Sequence, residues 1–545
     1  MPTESPTTIG CPPPPAEHSP DSHVLATTSS NRAEWWILIL VVLGFGLRLA
    51  GLEWGQAYSH FGQGDAIEAY DAAVNYGQGV ERASYLGQPN YNIHAKLPGP
   101  LWTLFCFAGL RFVGSIEGVL LAVILLNTAS IYLVYLLAER TVGPPGARWA
   151  ALLAATSPWA IYYSVGVYNP NVMPFLGSVL FLALWDVTQR DGSRNAFWVG
   201  LVLLAMPQFH MSGLMLIPAV ALVLALSAAR LNWPLLLGGL LAGACLYLPY
   251  LHGEMAHDWQ NTRGMMSGPG GYSWDGLKAI TAPLNFLVSW APRWTRSAAE
   301  YRELGRGCFG SFGVFLMANI LSGVVAGFLV VGAFGKICAA LRGGWRCPRQ
   351  TFKRTPGILF LAILLVVPLG FAVASGKSFH SRHCLVLIPA LLCLVGGAAA
   401  RWLSDPRLGR YFAVALAVTT CANVWFMPAM YRYQGRRITQ AEVLVPSFRQ
   451  LETVYQQLKQ HAGVGRGVVV SDAAYLAALT PGDLARKDAE LISRYVVVRE
   501  KEAALLSGPP PAQVIYTLHR ADQAPADAPA YRAHGIALIA TPAVR

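Results

Sequence analysis

Three carboxylates fall at helical spacing between apolar runs: Asp65, Glu68 and Asp71, in the stretch from Phe61 to Pro100. In a helix they are successive i, i+3 neighbours. Three like charges on one face repel each other unless they serve a metal, a cation or a proton acceptor. A solvated face on a loop helix would have the same spacing, so spacing leaves both readings open. The stretch ends in His94, Lys96 and Pro98-Gly99-Pro100. Two groups that are or can be cationic, held by prolines beside a membrane, suit a lipid phosphate. Lys96 alone would equally serve as a snorkelling anchor at a helix end.

More polar groups recur at the ends of later apolar runs. Tyr168-Asn169-Pro170-Asn171 offers two amides, Asn169 and Asn171, which can cap the next helix or hydrogen-bond sugar hydroxyls. Gln208 and His210 sit near the end of another run, where ionisable residues are candidates for function. A core histidine with its hydrogen bonds met has the same sequence signature. Glu254 and His257, three apart, are candidate ligands for a divalent metal ion, although two ligands are fewer than such a site needs. Lys377, His380, Arg382 and His383 form a basic turn suited to an anionic headgroup or phosphate.

The elements that position these groups are apolar. The chain is 54% hydrophobic and 13% charged, against about 25% charged in soluble domains. Runs long enough to cross a ~30 Å hydrocarbon core recur throughout. The net charge of +12 resides mostly in short loops, which reads as membrane orientation rather than a nucleic-acid face. The nine cysteines are scattered, most of them within apolar runs, and suggest no disulfide framework. The expected fold class is an all-α polytopic membrane protein of about 11–12 apolar helices with a small soluble α/β C-terminal domain.

Lys and Arg in the segment 340–356 place that segment in the cytoplasm, and the loops at 401–410, 189–194 and 139–148 fall on the same side. The run 98–113 is short and opens on prolines, so it reads as an interfacial helix rather than a span. The N-terminus is then cytoplasmic, and the outer loops 53–116 and 251–312 and the C-terminal domain are extracytoplasmic. Residues 1–32, rich in Pro, Ser and Thr, are expected to be disordered. Residues 33–430 make the membrane domain and 431–545 the outer domain. A helix is expected at 446–461, with strands at Val468–Val470, Tyr495–Val498, Val514–Tyr516 and Ile536–Ile539.

Gly64-Asp65, His94-x-Lys96-Leu97-Pro98, Ser157-Pro158-Trp159-x-x-Tyr162-Tyr163-Ser164 and the Arg382-His383 turn before Pro389 follow one another in this order. The pattern resembles the polyprenyl-phosphate-dependent glycosyltransferases of the C-type membrane fold, whose members include protein O-mannosyltransferases and lipid A aminoarabinose transferases. The resemblance covers roughly residues 35–430. It departs in two places: Ala66 follows Asp65, where O-mannosyltransferases carry an acidic pair, and Asn169-Pro170-Asn171 replaces a later acidic residue. The resemblance implies transfer of a sugar, with inversion, from a polyprenyl-phosphate donor to an extracytoplasmic acceptor in a cell (inner) membrane. Asp65 would be the general base. Lys96 and Arg382, with His94, Lys377, His383 or a divalent ion, would meet the donor phosphate. Asn169, Asn171, Gln208 and His210 would orient the sugar or acceptor. A secondary transporter of an anionic or lipid-linked substrate is the competing expectation; it calls for charged groups near the bilayer midplane in two related halves.

Overall fold

A computed structural model describes residues 30–54, 63–90, 95–267, 283, 286–287, 298–342, 352, 355–375, 381–439, 448–463, 466–471, 484–507, 512–520, 529–533 and 536–540. Most of the expected disordered tail lies outside the described residues, as do His94, Lys377 and His380.

Among the described residues, seven helical segments are long and apolar enough to cross a membrane: Trp35–Leu52, Ile116–Val142, Asn169–Gln189, Phe312–Arg342, Pro356–Ala374, Arg382–Leu403 and Gly409–Tyr433. The first lies in helix α1 (Ser30–Trp54). Trp233–Cys245 and Leu248–Ala256 meet at a 40° bend and make an eighth span if taken together. Leu101–Val113, Ala196–Phe209 and Met211–Leu226 are apolar but shorter. At 1.5 Å per residue, the 13 residues of Leu101–Val113 reach only about 20 Å, too short to cross alone. Lipid-facing helices carry bulky exposed side chains such as Val331 and Leu241, while Arg382–Leu403 is mostly buried within the bundle.

The apolar run expected as one span over 148–166 is broken into helices Pro144–Thr156 and Pro158–Tyr162. Ser157 is extended, as the residue before a proline prefers. The break leaves carbonyls of the last helical turn without intrahelical partners. Arg48 on α1, 2% exposed, meets them: its guanidinium donates to the Ala154 and Ala155 carbonyls at 3.0 and 3.4 Å, to Gly44 O at 3.0 Å and to Ser164 Oγ at 3.0 Å. Arg48→Leu is expected to cost about 2–4 kcal/mol, the penalty for stranding several buried acceptors. Thermal unfolding of the detergent-solubilised protein reads this loss.

The C-terminal region is built on a four-stranded sheet in the order β3-β4-β6-β5: β3 (Arg466–Ser471), β4 (Ala512–Arg520), β5 (Pro529–Ala533) and β6 (Ile536–Ala540). β3 and β4 are parallel, and the helix Leu484–Ser507 crosses between them. β6 pairs antiparallel with both β4 and β5. Helix Phe448–Ala462 buries Leu451, Val454, Tyr455 and Leu458, the face its periodicity predicts.

Tyr495–Val498, expected as a strand, is instead the middle of the helix Leu484–Ser507. The β-branched run has a local strand preference, but Ile492, Tyr495, Val496 and Val498 are buried while Val497 is exposed. Burial at i, i+3 and i+4 is a helical stripe, and the flanking Glu, Lys, Ala and Leu residues extend it. The strand β5 has no counterpart among the strands expected from sequence.

Candidate active site

Helix α2 (Gln63–Gly77) opens the site, with Asp65 in its first turn. A hairpin packs beside it: β1 (Leu86–Asn90) pairs antiparallel with β2 (Ala95–Pro98). Gln88, on β1, donates from Nε2 to the Asp65 carbonyl at 3.1 Å and ties the two elements together. After β2, Gly99 takes a φ of +114°, and a Cβ there would collide with the Gln208 side chain. Glycine is required at this turn because the chain passes directly against the end of helix Ala196–Phe209.

Lys96 is held through its backbone by Asn261, whose Oδ1 accepts from Lys96 N at 2.6 Å and whose Nδ2 donates to Lys96 O at 3.0 Å. Glu254, buried, supports that arrangement. Its two oxygens accept from the backbone N–H groups of Asn261 (3.4 Å) and Thr262 (2.7 Å), at the start of helix Gln260–Met266. Glu254 is therefore engaged in holding the chain that brackets Lys96. His257, its expected co-ligand, directs Nδ1 to Gly253 O at 2.8 Å and stacks on Tyr85 at 5.5 Å. Among the described residues no group of three or more metal-ligating side chains converges. The Glu254–His257 pair thus does not fit a metal centre, because backbone donors already satisfy the carboxylate.

The groups facing Asp65 come from distant parts of the chain. Its pKa is raised to about 6, by burial first and by the Glu68 charge second, with Arg382, the Gln88 amide and Arg494 acting against that rise. Arg382 belongs to the short helix Ser381–Leu387, and its guanidinium lies 5.8 Å from the centre of the Tyr168 ring. Burial also raises the pKa of the Tyr168 phenol, with Arg382 opposing and Asp65 adding to the rise. Asp65, Tyr168 and Arg382 thus share one electrostatic neighbourhood. Burial lowers the Lys96 pKa as well, with Arg82 adding to the fall and Asp71 and Glu68 opposing it.

His210 and His383 face each other with ring centres 5.4 Å apart. Ser212 N–H donates to His210 Nδ1 at 3.2 Å, which leaves the proton of a neutral ring on Nε2. Asn169 and Asn171 lie in the short helix Asn169–Val172, which packs on Ser381–Leu387. Asn171 Nδ2 donates to Gly166 O at 3.0 Å, and its own carbonyl accepts from Asn127 at 2.8 Å, so part of its polar capacity holds the loop. Gln208 is fully buried, and among the described residues neither of its amide atoms has a hydrogen-bond partner. An amide in that state suits a partner that arrives from outside the chain.

Of the candidate residues, the structure gathers Asp65 with Arg382, His210 with His383, and Asn169 and Asn171 beside the Arg382 turn. Lys96, on β2, is near α2 on the side of Glu68 and Asp71, whose charges it feels. Glu254 and His257 stand apart as supports. Tyr168, not selected from the sequence, belongs with Arg382; its position directly before Asn169 was the available signal. An acid with a pKa near 6 within the field of a guanidinium, near buried amides and imidazoles, can take a proton and steady an anion in one low-dielectric place.

Residues 94–251 match the family model of dolichyl-phosphate-mannose-protein mannosyltransferases. No curated protein matches the chain. The crystal structure of ArnT from Cupriavidus metallidurans in the apo state aligns with a TM-score of 0.53 at 12% identity, covering 93% of this chain and 98% of that one. The same protein bound to undecaprenyl phosphate aligns with a TM-score of 0.52 at 12% identity, covering 94% and 98%. The apo oligosaccharyltransferase of Archaeoglobus fulgidus aligns with a TM-score of 0.43 at 12% identity, over 91% of this chain and 70% of that one. The chain is a multi-pass membrane protein with the fold of ArnT from Cupriavidus metallidurans, a C-type glycosyltransferase fold, and over residues 94–251 it is similar to the dolichyl-phosphate-mannose-protein mannosyltransferases.

Proposed function

We propose that this protein is a membrane glycosyltransferase that moves a sugar from a polyprenyl-phosphate donor to a hydroxyl-bearing acceptor on the outer face of the membrane, with inversion. The observation that carries this reading is Asp65 placed within the field of Arg382, an acid raised to about pH 6 near a cation held over Tyr168. The undecaprenyl phosphate bound by the ArnT structure supports the choice of donor class.

The acceptor oxygen attacks the anomeric carbon while Asp65 takes its proton. The bond between that carbon and the phosphate oxygen breaks, and the leaving polyprenyl phosphate keeps the electron pair. A positioned base contributes about 10²–10⁴ in rate. Arg382 meets the charge that grows on the leaving phosphate; Lys96 and His383 join it, as do His94 and Lys377 if the segments that carry them approach. Inverting transfer suits a base and a phosphate clamp on opposite sides of the sugar, and Gln208, His210, Asn169 and Asn171 then contact the sugar or acceptor. No step is assigned to Glu254 or His257, which do not fit a metal ion. The N-terminus is taken as cytoplasmic and the C-terminal domain as extracytoplasmic, on the positive-inside argument.

The test is turnover of a panel of radiolabelled polyprenyl-phosphate sugars by the purified protein in lipid, with and without chelator. The expected result is release of polyprenyl phosphate from at least one donor, insensitive to chelator. Vesicle uptake of such a donor without cleavage would replace this reading with transport.

A further inference from the structure

The helix Leu484–Ser507 of the C-terminal region runs parallel to α2, and a chain of polar contacts joins them. Arg494 Nη2 lies 2.9 Å from Glu68 Oε1, and Lys501 Nζ lies 2.7 Å from Asp71 Oδ1 and 3.1 Å from Asn75 Oδ1. Gln78 Nε2 donates to the Lys501 carbonyl at 2.9 Å. Between these pairs, Tyr70 donates to the buried Glu502 carboxylate, and Arg499 donates to both Tyr70 (3.2 Å) and Glu502. Arg499 also grips Glu452 with two bonds of 2.8 and 3.1 Å, tying the pair of helices to helix Phe448–Ala462. Glu68, Asp71 and Asn75 on α2, with Gln78 just beyond its end, form a single stripe that begins one turn after Asp65, and Tyr70 lies beside it.

Glu68 and Asp71 are thus each paired with a cation of the C-terminal helix, Glu68 mostly buried and Asp71 partly exposed. They are the side of α2 that the C-terminal helix covers. A network of this kind around the buried Tyr70–Glu502 bond fixes a helix in rotation and height, since breaking it strands the buried Glu502 charge.

We propose that the C-terminal region is a working part of the active site, with Arg494 as a positioning residue that pairs Glu68 away from Asp65 and so keeps the base from facing a second bare carboxylate. The inference rests on Asp65 acting as base. The titratable and charged groups around Asp65 are Glu68 on its own helix, Arg382 and Tyr168 from the membrane domain, and Arg494 from the C-terminal helix, with neutral Gln88 from β1. Lys96 feels the charges of Glu68 and Asp71. Losing Arg494 removes one cation that favours ionised Asp65 and frees Glu68 to disfavour it, so both changes act in the same direction.

The experiment is the pH dependence of Asp65 labelling by dicyclohexylcarbodiimide, which reacts with protonated carboxyls, read by peptide mass on the full-length protein in lipid. Arg494→Gln is expected to raise the labelling midpoint by about half a pH unit, roughly a threefold change in the protonated-to-ionised ratio. Glu68→Gln lowers the midpoint, Arg494→Lys keeps it near wild type, and the Arg494→Gln effect shrinks in the Glu68→Gln background. The acid limb of donor turnover moves with the midpoint. A midpoint unmoved in both Arg494→Gln and Glu68→Gln would overturn the proposal. Should Arg494→Gln fail to fold, Glu68→Gln alone decides: a midpoint that does not fall refutes the pairing. Activity retained by Asp65→Asn would sink the base assignment instead, which the labelling series does not measure.

Discussion

Asp65→Asn is expected to lower sugar transfer by about 10²–10⁴-fold, the range a positioned general base supplies, while leaving donor binding largely intact. An amide keeps the shape and the hydrogen-bonding reach of the carboxyl but cannot take the acceptor proton. In the wild type, transfer should fall as pH drops through about 6, where burial holds the Asp65 carboxyl. The variant's residual activity should lack that acid limb. Stability should move the other way. The folded protein binds the Asp65 proton more tightly than the unfolded chain does, whose carboxyl titrates near its ordinary 3.8. The native state is therefore favoured at low pH, and that favour is lost as pH rises from about 4 to about 6. At pH 7 the ionised, half-buried carboxylate costs stability, so Asp65→Asn should unfold at an equal or higher temperature. A lower melting temperature together with lost activity would point to a structural role for Asp65. Transfer near the wild-type rate would end its assignment as base.

Arg382→Gln carries the second large effect, from two causes that kinetics can separate. Removing a cation aimed at a developing phosphate charge in a low-dielectric site costs about 10²–10³ in kcat. Arg382 also opposes the rise in the Asp65 pKa, so its loss should shift the acid limb of the pH profile upward. The first effect persists at alkaline pH and the second disappears there. Arg382→Lys should restore the pH profile more fully than kcat, because an ammonium supplies the charge without the planar fork. A kcat within twofold of wild type at alkaline pH would remove Arg382 from the leaving-group site.

How far each residue's task could be read from sequence depended on where its partner lies. Asp65 and Arg382 were identifiable as candidates because motif order and loop position single them out, although they are separated by most of the membrane domain. Glu68 and Asp71 were not readable: their spacing on α2 was clear, but their partners Arg494 and Lys501 sit more than 400 residues away. Glu254 and His257 had the types of metal ligands, and only the turn that presents Asn261 and Thr262 N–H groups to Glu254 shows the carboxylate to be already engaged. Arg48 is an intramembrane arginine and so a visible anomaly. Its purpose depends on the helix break at Ser157-Pro158, two spans further on.

The sequence by itself determined the membrane class, the succession of apolar helices and the burial of the helix Phe448–Ala462. These depend on run length and on periodicity within a few turns, which local hydrophobic patterning sets. Tertiary structure decided what such patterning does not carry. It converted Tyr495–Val498 from an apparent strand to the core of a helix, because packing against the sheet and α2 outweighs a β-branched preference of well under 1 kcal/mol per residue. It also sorted three equivalent carboxylates into one that is half-buried within the field of Arg382 and two that dock the C-terminal helix. Helical spacing treats Asp65, Glu68 and Asp71 alike; only the charges brought opposite each of them set their differing electrostatics.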